Sequence, residues 1–235
     1  SSGSVRGQQK QQQQHLPSAA AASLAVRWPF ETLESIHLAN VDPGVVQLLP
    51  ALAQYGEQVG GRSAQASNRG GFQSSKDFLN LLERHPSVLR AAVGRLRSAV
   101  LDAVCGLLWK SIMELDDPSE RSGTLTVMLL SSWLNRNEAG NFNAVHTHRS
   151  DLSAVVYLQC GEGCCDIDFA DSHHRCFEPG SVIVFHSERP HSVPPFFDKF
   201  PSSRLSIALN LAVDYESGEP AFGGFCQHRI LAPPF

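Results

Sequence analysis

The chain contains no apolar run of the roughly 18 residues that a membrane-crossing helix requires. Its greasiest stretch, Val88 to Met113, is broken by Arg90, Arg95, Arg97, Asp102 and Lys110, so a soluble protein is expected. Cysteine is sparse. The six residues Cys105, Cys160, Cys164, Cys165, Cys176 and Cys226 include no CxxC spacing. They are too few for a disulfide scaffold, and a reducing intracellular compartment is the expectation. Basic charge is not in excess either. Lys plus Arg number 19 against 23 Asp plus Glu, a net charge of -4, which argues against a nucleic-acid partner. With 42% hydrophobic and 18% charged residues over 235 positions, the chain can bury one sizeable core and is neither collagen, coiled coil nor wholly disordered.

Residues 1–25 hold a glutamine cluster and the alanine run Ala19 to Ala22, with little to pack against a core, and read as a low-complexity tail. The same acid-free, Ser/Ala/Gln-rich composition suits the remnant of an organelle transit peptide. A single domain is expected over 26–235. Within it, Val45, Val46, Leu48, Leu49, Leu52 and Ala53 predict a helix over Pro43 to Gln58. From Pro86-Ser87 onward Leu89, Ala92, Val93, Leu96, Val100, Ala103, Val104, Leu107, Leu108 and Ile112 recur every three or four residues, predicting a long amphipathic helix. After Asp116-Asp117-Pro118 the pattern changes to short β-rich runs: Thr124 to Leu134, Leu152 to Gln159, Cys165 to Phe169, Ser181 to Phe185 and Leu205 to Val213. A helical layer over 26–118 followed by strands over 119–213 predicts an α+β chain whose second half closes into a sandwich or small barrel. Residues 214–235 carry few strand signals and are expected to wrap the surface.

The chemistry concentrates in Asn143-Ala144-Val145-His146-Thr147-His148. Two imidazoles at i and i+2 on an extended strand share a face and can bind one metal ion. His191 follows directly after an apolar strand, and Arg204-Leu205-Ser206 opens the last one. An arginine with a hydroxyl two residues on can hold a carboxylate through charge-assisted hydrogen bonds.

These residues resemble the Fe(II)/2-oxoglutarate dioxygenases of the double-stranded β-helix, which use an HxD or HxE pair, a distal His and an RxS for the far carboxylate of the cosubstrate. Within them the chain looks most like the 2OG-Fe(II) oxygenase group marked by SNxGGWxS, WxN, an HxH followed by SGxxY, PGxxxxF and a terminal RxSxxxN. The matching segments are Ser67-Asn68-Arg69-Gly70-Gly71-Phe72-Gln73-Ser74, Trp133-Leu134-Asn135, His146-Thr147-His148, Ser153 to Tyr157, Pro179-Gly180 with Phe185, and Arg204 to Asn210. Phe72 and Ala154 depart from the pattern, standing where the group has Trp and Gly. The resemblance implies a double-stranded β-helix (a jelly-roll, cupin-like barrel) with an N-terminal helical layer. It implies a metal triad of His146, His148 and His191, with Fe(II), 2-oxoglutarate and O₂ as cofactor and cosubstrates, and Arg204 and Ser206 on the 2-oxo acid.

Several alternatives stay open at the level of sequence. Asp151 or Asp171 can replace one imidazole as a carboxylate ligand. Asn143 and Tyr157 can hydrogen-bond the 2-oxo acid, or Tyr157 can be an ordinary barrel residue. Cys160, Cys164, Cys165, His174 and Cys176 offer zinc-ligating groups, although their spacing fits no standard knuckle. The function expected is hydroxylation of a protein side chain or small metabolite. A cupin-type metal dioxygenase without 2-oxoglutarate, or a catalytically silent barrel that binds a partner, are the rivals.

Overall fold

A computed structural model describes residues 37–40, 43–47, 51, 54–55, 58, 67–84, 89–114, 121, 123–160, 166–175, 178–197, 203–217 and 225–230. The expected low-complexity tail, the Pro86-Ser87 helix start, most of the expected helix beyond residue 46, and Cys164, Cys165 and Cys176 lie outside these residues. In chain order the elements are β1 (His37–Asn40), α1 (Pro43–Val46), β2 (Asn68–Arg69), β3 (Phe72–Gln73), α2 (Phe78–Arg84) and α3 (Leu89–Met113). They continue with β4 (Gly123–Asn137), β5 (Phe142–His146), β6 (Leu152–Gln159), β7 (Asp166–Phe169) and β8 (His173–Arg175). The last four are β9 (Ser181–His186), β10 (His191–Val193), β11 (Arg204–Ser217) and β12 (Phe225–Ile230).

The strands form two sheets. The larger runs β1-β9-β6-β11-β4-β12, with β3 also on β4, and the smaller runs β2-β5-β10-β7-β8. Among the described strands every pairing is antiparallel except β12 on β4. Three strands, β1, β2 and β3, come from the stretch read as a helical layer, and β12 comes from the tail read as a surface wrap with few strand signals. Within that tail Phe225–Ile230 runs beside Thr124–Leu129 and forms the edge of the large sheet. Its ladder with β4 and the bond from Cys226 to Cys105 both hold it there.

Both faces of the central strands β6 and β9 are buried, so these strands read as nearly continuous apolar runs rather than alternating ones. One face packs on α2 and α3 through Leu152, Ala154 and Val156 of β6, Val182 and Val184 of β9, and Ile207, Leu209 and Leu211 of β11. The opposite parity, Val155, Tyr157, Ile183, Phe185 and Ala208, faces the smaller sheet and fills the barrel. Helix α3 contributes Ala92, Val93, Leu96, Val100, Leu101, Val104, Leu108 and Ile112 to the first core, the spacing expected of one apolar helix face.

β4 changes its allegiance part-way along. Leu125, Val127 and Leu129 face the helices, yet beyond Leu130 the helix-facing residue is Leu134 while Trp133 joins the barrel interior. The register against β11 explains the switch: Leu211 opposes Leu129 and Asn210 opposes Ser131, leaving Leu130 as the extra residue of a bulge. A bulge inverts the side-chain parity of all that follows. Trp133 and Asn135 point into the barrel because Leu130, 45% exposed, is skipped.

The cysteine reading is also corrected. Cys105 on α3 and Cys226 on β12 form a disulfide across 121 residues of sequence, and Cys160 is disulfide-bonded as well. The Cys105–Cys226 pairing leaves no trace as a spacing because its partners are brought together only by the fold. Cys160 accordingly offers no thiolate to zinc.

Candidate metal centre

β5 carries one functional side chain at its end and one near its start, and a second bulge allows both to face inward. His191 of β10 opposes His146, whereas Val193 opposes Asn143, so two steps along β10 match three along β5. In a regular strand residues three apart lie on opposite faces. Here the irregularity at Ala144-Val145 turns Val145 outward, 71% exposed, and leaves both Asn143 and His146 on the cavity wall.

His148 lies just past the end of β5 instead of on an extended strand, as the i, i+2 reading expects. Its backbone N–H donates to the Ser187 carbonyl at 2.9 Å, so the connection after β9 sets its position. Its ring packs 5.4 Å from Trp133, the residue that the Leu130 bulge turns inward. His191, 5% exposed, is wedged against Phe185, with ring centroids 4.7 Å apart. The three imidazoles thus come from β5, the loop after it and β10, and one ligand nitrogen from each lies within 4.8 Å of the other two.

The outer nitrogens are already engaged on two of the rings. His146 Nδ1 donates to the Ala144 carbonyl at 2.7 Å, and His191 Nδ1 donates to the Arg189 carbonyl at 3.0 Å. That tautomer leaves the Nε2 lone pair of each for a metal, the usual outer-shell arrangement of ligating histidines. Burial keeps all three neutral. It lowers His146, against the raising effect of the Ala144 hydrogen bond. It pushes His191 down to about 4, opposed by the Arg189 carbonyl. It pushes His148 down to about 3, helped by the like charges of His191, His146 and Lys76. Three neutral imidazoles with convergent lone pairs fit a divalent first-row metal ion.

The two carboxylate alternatives are placed elsewhere. Asp151 Oδ2 accepts from the Val213 N–H at 2.9 Å and its backbone joins Leu211 and Ser187, so it ties β6 to β11. Asp171 is exposed and hydrogen-bonded by Arg189, whose guanidinium also lies 4.5 Å from the Phe169 ring centroid. Neither belongs to the ligand cluster.

The same cavity is lined from the large sheet by Asn135 of β4, Ser153 of β6, and Arg204 and Ser206 of β11. From the smaller sheet it is lined by Asn143 and by Ser67, which directly precedes β2. Arg204 and Ser206, 4% and 1% exposed, sit at the same parity of one strand, as their spacing predicts. Tyr157 is fully buried in the barrel core and lies beneath the Arg204 guanidinium, 5.1 Å from carbon to ring centroid. It does not line the cavity. Asn135 and Ser153 were not singled out as site residues by sequence. Their only signal was membership in the Trp133-Leu134-Asn135 and Ser153 to Tyr157 segments.

No protein-family model and no curated protein matches the chain, but solved structures do. A non-heme alpha ketoglutarate dependent carbocyclase, SnoK from nogalamycin biosynthesis, superposes with a TM-score of 0.50 at 11% identity, covering 78% of this chain and 83% of that one. The fold is the double-stranded β-helix. AviO1 from Streptomyces viridochromogenes Tue57 (TM-score 0.48, 16% identity, 82% and 94% covered) and a Pseudomonas putida prolyl-4-hydroxylase (TM-score 0.45, 20% identity, 75% and 91% covered) are further matches. In this double-stranded β-helix the large sheet carries the helices on its outer face and Arg204 and Ser206 on its inner face. The smaller sheet carries two of the three imidazoles.

Proposed function

We propose that the protein is an Fe(II)- and 2-oxoglutarate-dependent dioxygenase that hydroxylates a protein side chain or a small metabolite. The observation that carries this reading is one cavity holding three neutral, convergent imidazoles together with a buried arginine and serine on the facing sheet. His146, His148 and His191 would hold the iron, leaving coordination positions for a bidentate 2-oxo acid and O₂. When bound, the iron and 2-oxo acid supply the oxidising chemistry. The chain's own contribution is placement. Arg204 and Ser206 hold the far carboxylate by charge-assisted hydrogen bonds. Trp133, Phe185 and Ile167 keep water from the reacting end, and the carbonyls of Ala144 and Arg189 fix two ligand rings.

A ligand set without a carboxylate also supports a cupin-type metal dioxygenase that uses no 2-oxoglutarate. An anaerobic titration separates the two: Fe(II) first, then 2-oxoglutarate, watching for the weak visible charge-transfer band of a chelated 2-oxo acid. A band that requires both additions supports the first reading. Iron binding without the band supports the second, and absence of iron binding leaves a barrel that serves as a binding module.

A further inference from the structure

The hairpin formed by β2 and β3 spans the seam between the two sheets. Asn68–Arg69 pairs with β5 of the smaller sheet, and Phe72–Gln73 pairs with β4 of the larger. The turn between them needs its two glycines. Gly70 has φ of +86°, a left-handed conformation costly for other residues. A Cβ on Gly71 would stand 2.4 Å from the Arg136 carbonyl oxygen and 2.5 Å from Asn68 Oδ1. The space kept clear by Gly71 is therefore occupied by the Asn68 amide.

That amide begins a chain. The Gly71 N–H donates to Asn68 Oδ1 at 2.9 Å, and Asn68 Nδ2 donates to the Phe72 carbonyl at 3.2 Å and to Asn137 Oδ1 at 2.7 Å. Asn137 Nδ2 donates to Asn143 Oδ1 at 2.9 Å, and Asn143 Nδ2 donates to Ser67 Oγ at 3.1 Å. The direction of every link is forced. A backbone N–H can only donate and a carbonyl can only accept, so Asn68 has one orientation, which fixes Asn137 and then Asn143. Three buried amides, Asn68, Asn137 and Asn143, transmit the polarity of one backbone group across two sheets.

The chain ends on a hydroxyl that already accepts. The Ser67 oxygen is taken up by Asn143, and no acceptor for its own proton exists among the described residues, while its side chain lines the metal cavity. Aligned hydrogen bonds polarise one another, which makes this terminal O–H a strengthened donor. If the dioxygenase reading holds, Arg204 and Ser206 take the far carboxylate of the 2-oxo acid. Iron held by the three histidines would engage the 2-oxo end of the same molecule, whose near carboxylate would keep an oxygen available to a protein donor.

We infer that Ser67 is a cosubstrate-binding residue that donates to this remaining carboxylate oxygen, and that Asn68, Asn137 and Asn143 are positioning residues that set the direction of its proton. The inference rests on the proposed function and adds a residue from outside the barrel strands to its ligand set.

Asn137→Asp tests the direction without touching the cavity wall. With an ionised carboxylate at position 137 no donor remains for Asn143 Oδ1. The Asn143 amide turns to donate to Asp, and the Ser67 proton is drawn back to Asn143, away from the ligand. Wild type, Ser67→Ala, Ser67→Thr, Asn137→Asp and the double variant are each loaded anaerobically with Fe(II) at pH 8 and titrated with 2-oxoglutarate, following the charge-transfer band.

Iron affinity stays unchanged in all. Ser67→Ala weakens 2-oxoglutarate binding by about tenfold or more, the loss expected for a hydrogen bond to a charged group. Ser67→Thr restores it. Asn137→Asp shows a comparable loss, and adds nothing when Ser67 is already Ala, the non-additivity of residues acting through one another. Ser67→Ala binding within twofold of wild type overturns the inference. So does an Asn137→Asp loss that persists in full in the Ala background, because Asn137 opposes Arg204 across the strands and the new charge would then be acting on that guanidinium. A wild-type protein that gives no band with both additions refutes the dioxygenase reading itself, an outcome distinct from either of these.

Discussion

Arg204 lies over the face of Tyr157, with its guanidinium carbon 5.1 Å from the ring centroid. The two residues belong to neighbouring strands, and both are buried. A guanidinium desolvated over an aromatic face gains about 0.5–2 kcal/mol from the ring quadrupole, and the ring also limits the rotamers of a long side chain. The ring therefore braces the Arg204 guanidinium from beneath.

Replacing Arg204 with Ala should remove measurable 2-oxoglutarate binding while iron still binds. Truncating one partner of a buried charge-assisted pair costs about 2–5 kcal/mol, a loss beyond the reach of the remaining Ser206 hydroxyl. Tyr157→Phe, which keeps the ring, should leave the affinity within a few-fold. Titration of the two variants side by side checks both statements, and loss of iron from Arg204→Ala would show that the arginine is a structural prop of the centre.

His191→Ala should lower iron affinity by at least about 100-fold, the upper range for removing even an outer-shell partner of a ligand. The variant also vacates the space against Phe185, so His191→Gln serves as the fuller-volume control. Equilibrium dialysis against Fe(II), or against Mn(II) as an air-stable probe, reads the result. Unchanged affinity in both variants would break the triad.

The metal-free protein should lose stability as pH falls from about 6.5 toward 4. In the unfolded chain each histidine takes up a proton near its ordinary pKa of about 6.5. In the folded chain burial holds His191 neutral down to about 4 and His148 down to about 3. Between these limits the unfolded state binds more protons, so stability is present above the unfolded pKa and drains away on acidification. Thermal unfolding of the metal-free protein from pH 7.5 to 4 should show this slope. His148→Asn, which removes a titrating group, should flatten it, and a slope equal to wild type would contradict the burial argument.

Much of this architecture was legible in the sequence, for identifiable reasons. Helix α3 announced itself because its apolar face is continuous over seven turns, and β6 because a strand covered on both sides is apolar throughout. The imidazoles at 146 and 148 and the Arg204-Ser206 step were visible as spacings. The strands β1, β2 and β3 were not, because two to four residues carry no periodicity. The bulge at Leu130 was hidden in the run Val127-Met128-Leu129-Leu130, where every residue is apolar and parity leaves no trace. Ser67 stood inside a matched segment, but its role depends on Asn137 and Asn143, 70 and 76 positions away, and no local pattern reports that.

Deleting Leu130 should therefore do more harm than its exposed side chain suggests. Without the extra residue, Trp133 and Asn135 would turn toward the helices and Leu134 into the barrel, or β4 would slide against β11. The deletion should abolish iron and 2-oxoglutarate binding together, whereas Leu130→Ser, which keeps the count, should preserve both within a few-fold. Binding titrations on this pair distinguish a counting residue from a packing one.

The Cys105–Cys226 bond closes the chain into a ring, and the ring encloses every residue assigned to the metal and to the 2-oxo acid except the hairpin with Ser67. A protease that cuts any loop between these cysteines opens the ring without releasing a fragment. Both ends stay tethered through the helix and the last strand, where they can re-dock. The half of the molecule that carries the three histidines is thus buffered against single cuts, while Ser67 is tethered to it by only one run of chain.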